Sequence, residues 1–189
     1  MLILASASPR RSELLQQIGV SFEVVVRSID ETPKTDELAS AYVARVALKK
    51  AQAVSQEHSQ RTVLAADTCI SLNNSILTKP KDADDAKRML QTLSGRKHQV
   101  YTSVAIICAE RQQVVTVTTE VLFKQLSNKQ IEDYVASEEP LDKAGSYAIQ
   151  GFGAVLIERI SGSYSSVVGL PLAETAVLLQ QFNVPMWQK

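Results

Sequence analysis

Leu2-Ile3-Leu4-Ala5-Ser6-Ala7-Ser8-Pro9-Arg10-Arg11 is the stretch from which the rest of the chain can be read. Its first four residues are an apolar run of strand length. Ser6-Ala7-Ser8 breaks the run with small polar groups, and Pro9 suits the first position of a helix, where no backbone N–H is needed. Ser8 is a good residue to cap that helix. Leu14, Leu15 and Ile18 then share one helical face, and Gly19 can end the helix in the left-handed conformation. The chain thus opens strand, tight turn, helix. Unpaired amides at such a helix start attract anions, Arg10 and Arg11 add two cations, and the hydroxyls of Ser6 and Ser8 can donate there. A phosphate suits the place, although a capped helix with two solvated arginines would read the same way.

Working outward, 189 residues with 45% hydrophobic content suffice for one large domain or two small lobes sharing a sheet. The chain is taken as a single domain, 1–189. Lys+Arg 20 equals Asp+Glu 20, so no global field draws it to nucleic acid or membrane, and any anion site must be a local cluster. No apolar run approaches a membrane span. The first arginines follow the apolar run instead of preceding it, unlike a signal peptide. Cys69 and Cys108 stand far apart without a Cys/His ligand spacing, which points to buried thiols in a reducing cytoplasm and away from zinc. HExxH, GxSxG and GxxxxGK are all missing, which argues against a zincin, an α/β-hydrolase and a P-loop enzyme. His58 lies in a polar stretch and is expected to be solvated.

A second strand is expected over 21–26, then a polar loop over 27–36 containing Pro33. Asp30-Glu31 in that loop is either a solvated acidic pair or a ligand for a hard divalent cation. Thr35 or Asp36 can cap a helix to about Val54, on which Tyr42, Val43, Val46, Ala47 and Val54 share one arc. Lys50 falls on that buried arc, where a lysine snorkels or pairs with a carboxylate or phosphate. Residues 62–66 form an apolar strand ending in Asp67-Thr68; a carboxylate emerging there needs a metal, a lysine or water as partner. The chain resumes as a strand over 69–72, and Asn73-Asn74 suits a hairpin turn.

Lys79-Pro80-Lys81 precedes Asp82-Ala83-Asp84-Asp85, which reads as the cap and acidic first turn of a helix to Ser94, ended by Gly95. Residues 100–109 and 114–123 are the longest strands, joined by Glu110-Arg111-Gln112-Gln113. Ser127 with Gln130 forms a capping box for a helix to about Ser137, whose Tyr134 and Val135 are core. Residues 138–146 are a polar loop. Gly145, Gly151 and Gly153 bracket Tyr147-Ala148-Ile149-Gln150, and the Gln150 amide suits reading a nucleobase edge or simply facing water. A last strand is expected over 154–159, a small-residue loop over 161–166, and a final helix from Gly169-Leu170-Pro171 to about Gln181.

Cations and carboxylates near element ends, without a nucleophile–histidine pair, suggest metal-assisted phosphoryl chemistry. Leu4-Ala5-Ser6-Ala7-Ser8-Pro9-Arg10-Arg11, Ala66-Asp67-Thr68, Lys79-Pro80, Leu93-Ser94-Gly95 and Gly169-Leu170-Pro171-Leu172 resemble the Maf family of nucleoside triphosphate pyrophosphatases, in order and over nearly the whole chain. The resemblance implies an α/β fold: an elongated mixed β-sheet flanked by helices, two lobes and a central cleft, similar to inosine triphosphate pyrophosphatases. It implies cleavage of the α–β anhydride with Mg²⁺ or Mn²⁺ held by Glu31 and Asp67. Asp67 matches the proton-acceptor position, and whether it is base or metal ligand stays open. Lys50 and Lys79 match catalytic basic positions, with Ser6, Ser8 and Arg11 at the phosphates.

Arg10, Thr68 and Gln150 match the positions that set base preference, in the combination that implies dTTP and UTP. The stretch Asp142-Lys143-Ala144-Gly145-Ser146-Tyr147-Ala148-Ile149-Gln150-Gly151 also resembles that branch. Ala65 stands where the family often has Gly, a departure of one methyl group. A 7-methyl-GTP pyrophosphatase, or a non-catalytic nucleotide-binding regulator of septum formation, are the alternatives. No nucleic-acid or membrane partner is expected, and a homodimer is compatible with this reading.

Overall fold

In a computed structural model, which describes residues 1–188, seven strands form one mixed sheet. β1 (Leu2–Leu4) passes through α1 (Pro9–Gln17) to β2 (Phe22–Val24) and pairs parallel with it; α2 (Ala39–Ser55) then leads to β3 (Val63–Leu72), also parallel to β1. Parallel neighbours need a crossover connection, and the two helices supply it. β4 (Ser75–Leu77), β5 (Lys97–Cys108), β6 (Arg111–Phe123) and β7 (Ile157–Ser161) are antiparallel to their neighbours, giving the order β2-β1-β3-β5-β6-β7 with β4 on β3. Asn73 and Asn74 both take positive φ, 50° and 65°, the geometry of a two-residue hairpin turn between β3 and β4.

The sheet has a gap that positions everything else. β5 runs along β3 from Val63 to Ser71, so β1 and β4 share the opposite edge of β3. There β1 is in register with Val63 and Leu64, and β4 with Ile70 to Leu72. From Ala65 to Cys69 that edge has no strand neighbour among the described residues. On the sheet face away from α2, whose own side packs Ile3, Ala47, Val63 and, further along, Val43, Val46 and Cys69, the gap divides two cores. One packs Leu4, Leu15, Leu64, Ile106 and Leu179 beneath α1, α5 (Tyr164–Val168) and α6 (Leu172–Gln181). The other packs Ile70, Leu90, Phe123 and Tyr134 beneath α3 (Ala83–Leu93) and α4 (Asn128–Ala136). The mixed sheet, flanking helices and two lobes are those expected.

Several local expectations are corrected. Asp67 is not at a strand end: β3 runs straight through it, because β5 pairs both halves. Helix α2 starts at Ala39 after an uncapped Leu38, not at Thr35 or Asp36; Asp36 sits at φ 55°, outside helical geometry, and the Glu37 side chain is taken by Arg45 at 2.6 Å. β2 spans three residues, not six. The β5–β6 connection is Ala109-Glu110, so Arg111 to Gln113 belong to a strand. Residues 154–156 lie in a 3₁₀ segment, Gly151–Leu156, and the last strand begins at Ile157. The expected small-residue loop gives way at Tyr164 to α5, whose Ser163 cap accepts the Ser166 N–H. By contrast the Asp82 cap, the acidic first turn of α3 and the Ser127–Gln130 capping box all form. Cys69 is buried but Cys108 only partly so.

His98 is one polar residue whose burial has a measurable consequence. It is 2% exposed on β5, its Nε2 lies 2.8 Å from the Tyr147 hydroxyl, and Phe123 and Tyr147 stack edge-on against it. Burial lowers its pKa from 6.5 to about 4. The unfolded chain therefore binds the extra proton first as pH falls, so stability is fully present above 6.5 and is lost toward 4, by about 3 kcal/mol. Urea unfolding of wild type and His98→Gln between pH 4 and 7 checks this. The wild-type curve should slope over that window more steeply than the variant's; parallel curves would remove His98 from the acid response.

Candidate active site

Period-two alternation on β3 sends Asp67 to the face covered by α2 and Thr68 to the opposite face. Because the edge between β1 and β4 is open, both line one cleft of about 370 Å³. The cleft floor is the Ser6–Arg11 turn on one side and the Lys143–Gln150 segment on the other. Lys50, on the buried arc of α2, places its Nζ 2.8 Å from Asp67 Oδ1 and 2.8 Å from Glu31 Oε2. Glu31 comes from the loop after β2, half exposed, whereas Asp67 is 6% exposed. Burial holds Asp67 above the ordinary carboxylate value, against the opposing charges of Lys50 and Arg11. A desolvated acid pulled two ways is what a functional carboxylate looks like.

Arg11 acts as a bracket. Its Nε donates to Gly169 O at 2.9 Å, Nη1 to Ser6 Oγ at 2.9 Å and Nη2 to Thr68 Oγ1 at 3.4 Å. It so ties the first turn to β3 and to the α5–α6 connection. Burial lowers its pKa, opposed by Asp67 and Glu31. Thr68 Oγ1 also meets Thr102 Oγ1 at 2.9 Å, and Thr102 donates to Ser166 O at 2.8 Å, so a buried chain steadies the threonine. Ser8 occupies the N-cap position of α1 without a capping hydrogen bond from its side chain, contrary to expectation; its N–H instead donates to Ser6 Oγ at 3.3 Å. The Ser8 hydroxyl is left on the cleft wall, beside the first turn of α1, where Pro9 has no N–H and the Arg11 and Ser12 amides donate to Ser8 O at 3.2 and 3.4 Å.

The fold brings together Ser6, Ser8, Arg10, Arg11, Glu31, Lys50, Asp67, Thr68, Lys79 and Gln150: all line the cleft. Sequence reasoning gave no individual role to Asp142 and Lys143, which form an ion pair on the second-lobe wall. Burial raises Asp142, but the Lys143 hydrogen bond and charge, with Arg10 across the cleft, outweigh it and hold the carboxyl below its ordinary value. Nor was Arg27 singled out; it lines the cleft but is held by Glu57 at 2.7 and 2.5 Å. The sequence signal for this wall was the resemblance of the whole Asp142–Gly151 stretch, together with Gly145, which sits at φ 64° where the chain turns into the site.

The donor set suits a hard divalent cation. Glu31 and Asp67, each with an oxygen 2.8 Å from the same ammonium, bring two hard carboxylate donors close together. No cluster of three or more His, Cys, Asp or Glu gathers among the described residues.

The family model for Maf-like proteins matches residues 1–182, and the chain belongs to that family. Among curated relatives, the dTTP/UTP pyrophosphatase of Vibrio parahaemolyticus is 50% identical over 182 residues, covering 96% of this chain and 96% of that one. The dTTP/UTP pyrophosphatase of Myxococcus xanthus is 50% identical over 186 residues, covering 98% and 94%. That of Escherichia coli K12 is 50% identical over 183 residues, covering 96% and 93%. Among solved structures, a HAM1 protein from Coxiella burnetii superposes with a TM-score of 0.55 at 14% identity, over 95% of this chain and 98% of that one. The Staphylococcus aureus Ham1 protein gives 0.51 at 14%, over 96% and 97%. At that identity the likeness is one of fold. No helix of the described residues is long and apolar enough to cross a membrane.

Proposed function

We propose that this chain is a nucleoside triphosphate pyrophosphatase that hydrolyses dTTP and UTP to the nucleoside monophosphate and pyrophosphate, with Mg²⁺ or Mn²⁺ as cofactor. The observation that carries the reading is the Glu31–Lys50–Asp67 group in the same cleft as the Ser6–Arg11 turn. Relatives at 50% identity over nearly the full length and bearing that activity in their names support it. We take the chain as one cytoplasmic domain acting on a free nucleotide.

Water attacks the α-phosphorus, the α–β anhydride breaks and pyrophosphate leaves. Asp67 accepts the proton of that water, the task for which a carboxylate raised by burial is suited. Glu31 and Asp67 are the side chains that would hold the cation, which when bound neutralises phosphate charge and polarises the bond to be cleaved. Lys50 and Lys79 bring two ammonium groups to the phosphate oxygens. Ser6, Ser8 and the Arg10 N–H add donors from the opposite wall, with Arg11 holding that turn in place. Arg10, Thr68 and Gln150, all on the cleft lining, are the residues to which we assign reading of the base.

The test is pyrophosphate release from dTTP, UTP, CTP, GTP and 7-methyl-GTP, with Mn²⁺, Mg²⁺ or a chelator. Release from dTTP and UTP that needs the metal is expected. Preference for 7-methyl-GTP would move the chain to another specificity. Failure on every triphosphate, with nucleotide still bound, would make it a regulator.

A further inference from the structure

Gln150 projects from a segment that is itself hardly structured: a stretch without strand or helix from Tyr147, then the 3₁₀ segment Gly151–Leu156. Its side chain is exposed on the cleft rim. An exposed glutamine on such a support has no fixed place from which to read a base. What gives this segment its place lies behind it, away from the reacting groups. Glu139 Oε2 accepts the Phe152 N–H at 2.9 Å, and Oε1 accepts the Gly153 N–H at 2.9 Å. Tyr134 Oη donates to Glu139 Oε1 at 2.9 Å and accepts the Ala148 N–H at 3.2 Å. The segment is thus held on both sides of Gln150, at Ala148 and at Phe152–Gly153, by two side chains bonded to each other.

The fit leaves no slack. A Cβ on Gly153 would come within 2.6 Å of Tyr134 Oη and collide with Ala148 O. One on Gly151 would collide with the Glu139 carboxylate, and Gly151 already sits at φ 78°. Ala148 and Tyr134 are buried, so the Ala148 N–H has no water to fall back on. A carboxylate accepting two backbone N–H bonds and a phenol is charged in this setting: burial raises Glu139, and these three donors outweigh it. Only an acceptor-only group answers all three; an amide would turn its NH₂ toward one of the N–H groups.

We infer that Glu139, through Tyr134, is a positioning residue that fixes the Ala148–Gly153 wall and thereby the base selectivity carried by Gln150. The inference rests on the proposed dTTP/UTP hydrolysis and on base reading at that wall. Loosening the wall costs base contacts and admits larger bases, while the Asp67–Lys50 group, held by α2 and β3, stays in place.

The experiment is steady-state kinetics of wild type, Glu139→Gln and Tyr134→Phe with UTP and GTP, beside thermal unfolding of each. In wild type kcat/KM should favour UTP over GTP. In Glu139→Gln the KM for UTP should rise and the UTP-over-GTP preference should fall about tenfold, with kcat for UTP changed less than about threefold. Tyr134→Phe, which keeps the packing and loses only the hydroxyl, should move the same ratio in the same direction. A preserved ratio in both folded variants overturns the positioning role, even if their melting temperature drops. A wild type with no preference for UTP instead overturns the underlying base-reading assignment.

Discussion

Asp67→Asn is expected to lower kcat for dTTP and UTP about 10³-fold while leaving the protein as stable as before or more so. The loss follows from exchanging a proton acceptor for an amide of the same shape in a site where Asp67 is the buried acid. The stability half follows from the sign of its pKa shift. Burial raises Asp67 above 3.8, more than Lys50 and Arg11 lower it. Between 3.8 and the raised value the folded protein binds a proton that the unfolded chain does not, so this residue's contribution to stability falls as pH rises through that window. At neutral pH the acid therefore costs the fold something, and the neutral amide does not. Chemical unfolding at pH 7 with a chelator present, beside turnover with Mn²⁺, reads both halves. A folded Asp67→Asn with wild-type turnover would remove Asp67 from the reaction. A variant that melts far below wild type would mean that the ion pair holds the fold together.

What could be read from the sequence and what could not divide along a physical line. Lys50 was legible because helical period depends on the chain alone: Tyr42, Val43, Val46, Ala47 and Val54 are all buried, and the lysine among them had to find an anion. The caps at Asp82 and Ser127 and the Asn73-Asn74 turn were legible because such signals act over three or four residues. Asp67 was singled out for a partly mistaken reason. The run 63–66 looks like a strand that ends, whereas what ends beside it is β1, and the interruption of a neighbour leaves no mark in the strand's own residues. The 3₁₀ segment at Gly151 was misread because its support, Glu139, is remote; helix α5 has a local Ser163 cap but spans only five residues, too few to show a helical period, and its start is also held by a Thr119 hydroxyl that accepts the Ser163 N–H at 3.0 Å. Likewise nothing in Arg11 distinguishes a phosphate ligand from a bracket until Gly169, 158 residues away, is seen to take its Nε.

Lys50→Met should reduce turnover about 10²-fold or more and, unlike Asp67→Asn, destabilise the fold in a pH-dependent way. Methionine keeps the length and packing of the stem along α2 and deletes the ammonium that sits 2.8 Å from Asp67 and from Glu31. Glu31 is half exposed and recovers water; Asp67, with a side chain 9% exposed, does not. Breaking a buried pair by removing one partner costs roughly 3–5 kcal/mol when the orphaned charge must persist. Asp67 can escape part of that cost by taking up a proton, which raises its pKa beyond the value burial already imposes. The destabilisation is therefore smallest near pH 5 and grows toward pH 8, since the folded variant holds a proton that the unfolded chain releases. Adding Asp67→Asn removes the stranded charge, so the double variant should recover most of the stability at pH 8 and none of the activity. The two substitutions are then strongly non-additive in stability, as residues sharing one ion pair are. Urea unfolding at pH 5 and pH 8 of wild type, both single variants and the double variant completes the cycle. A Lys50→Met loss that is equal at the two pH values, or that survives Asp67→Asn, would show that the lysine supports α2 by packing and that its charge serves the substrate alone.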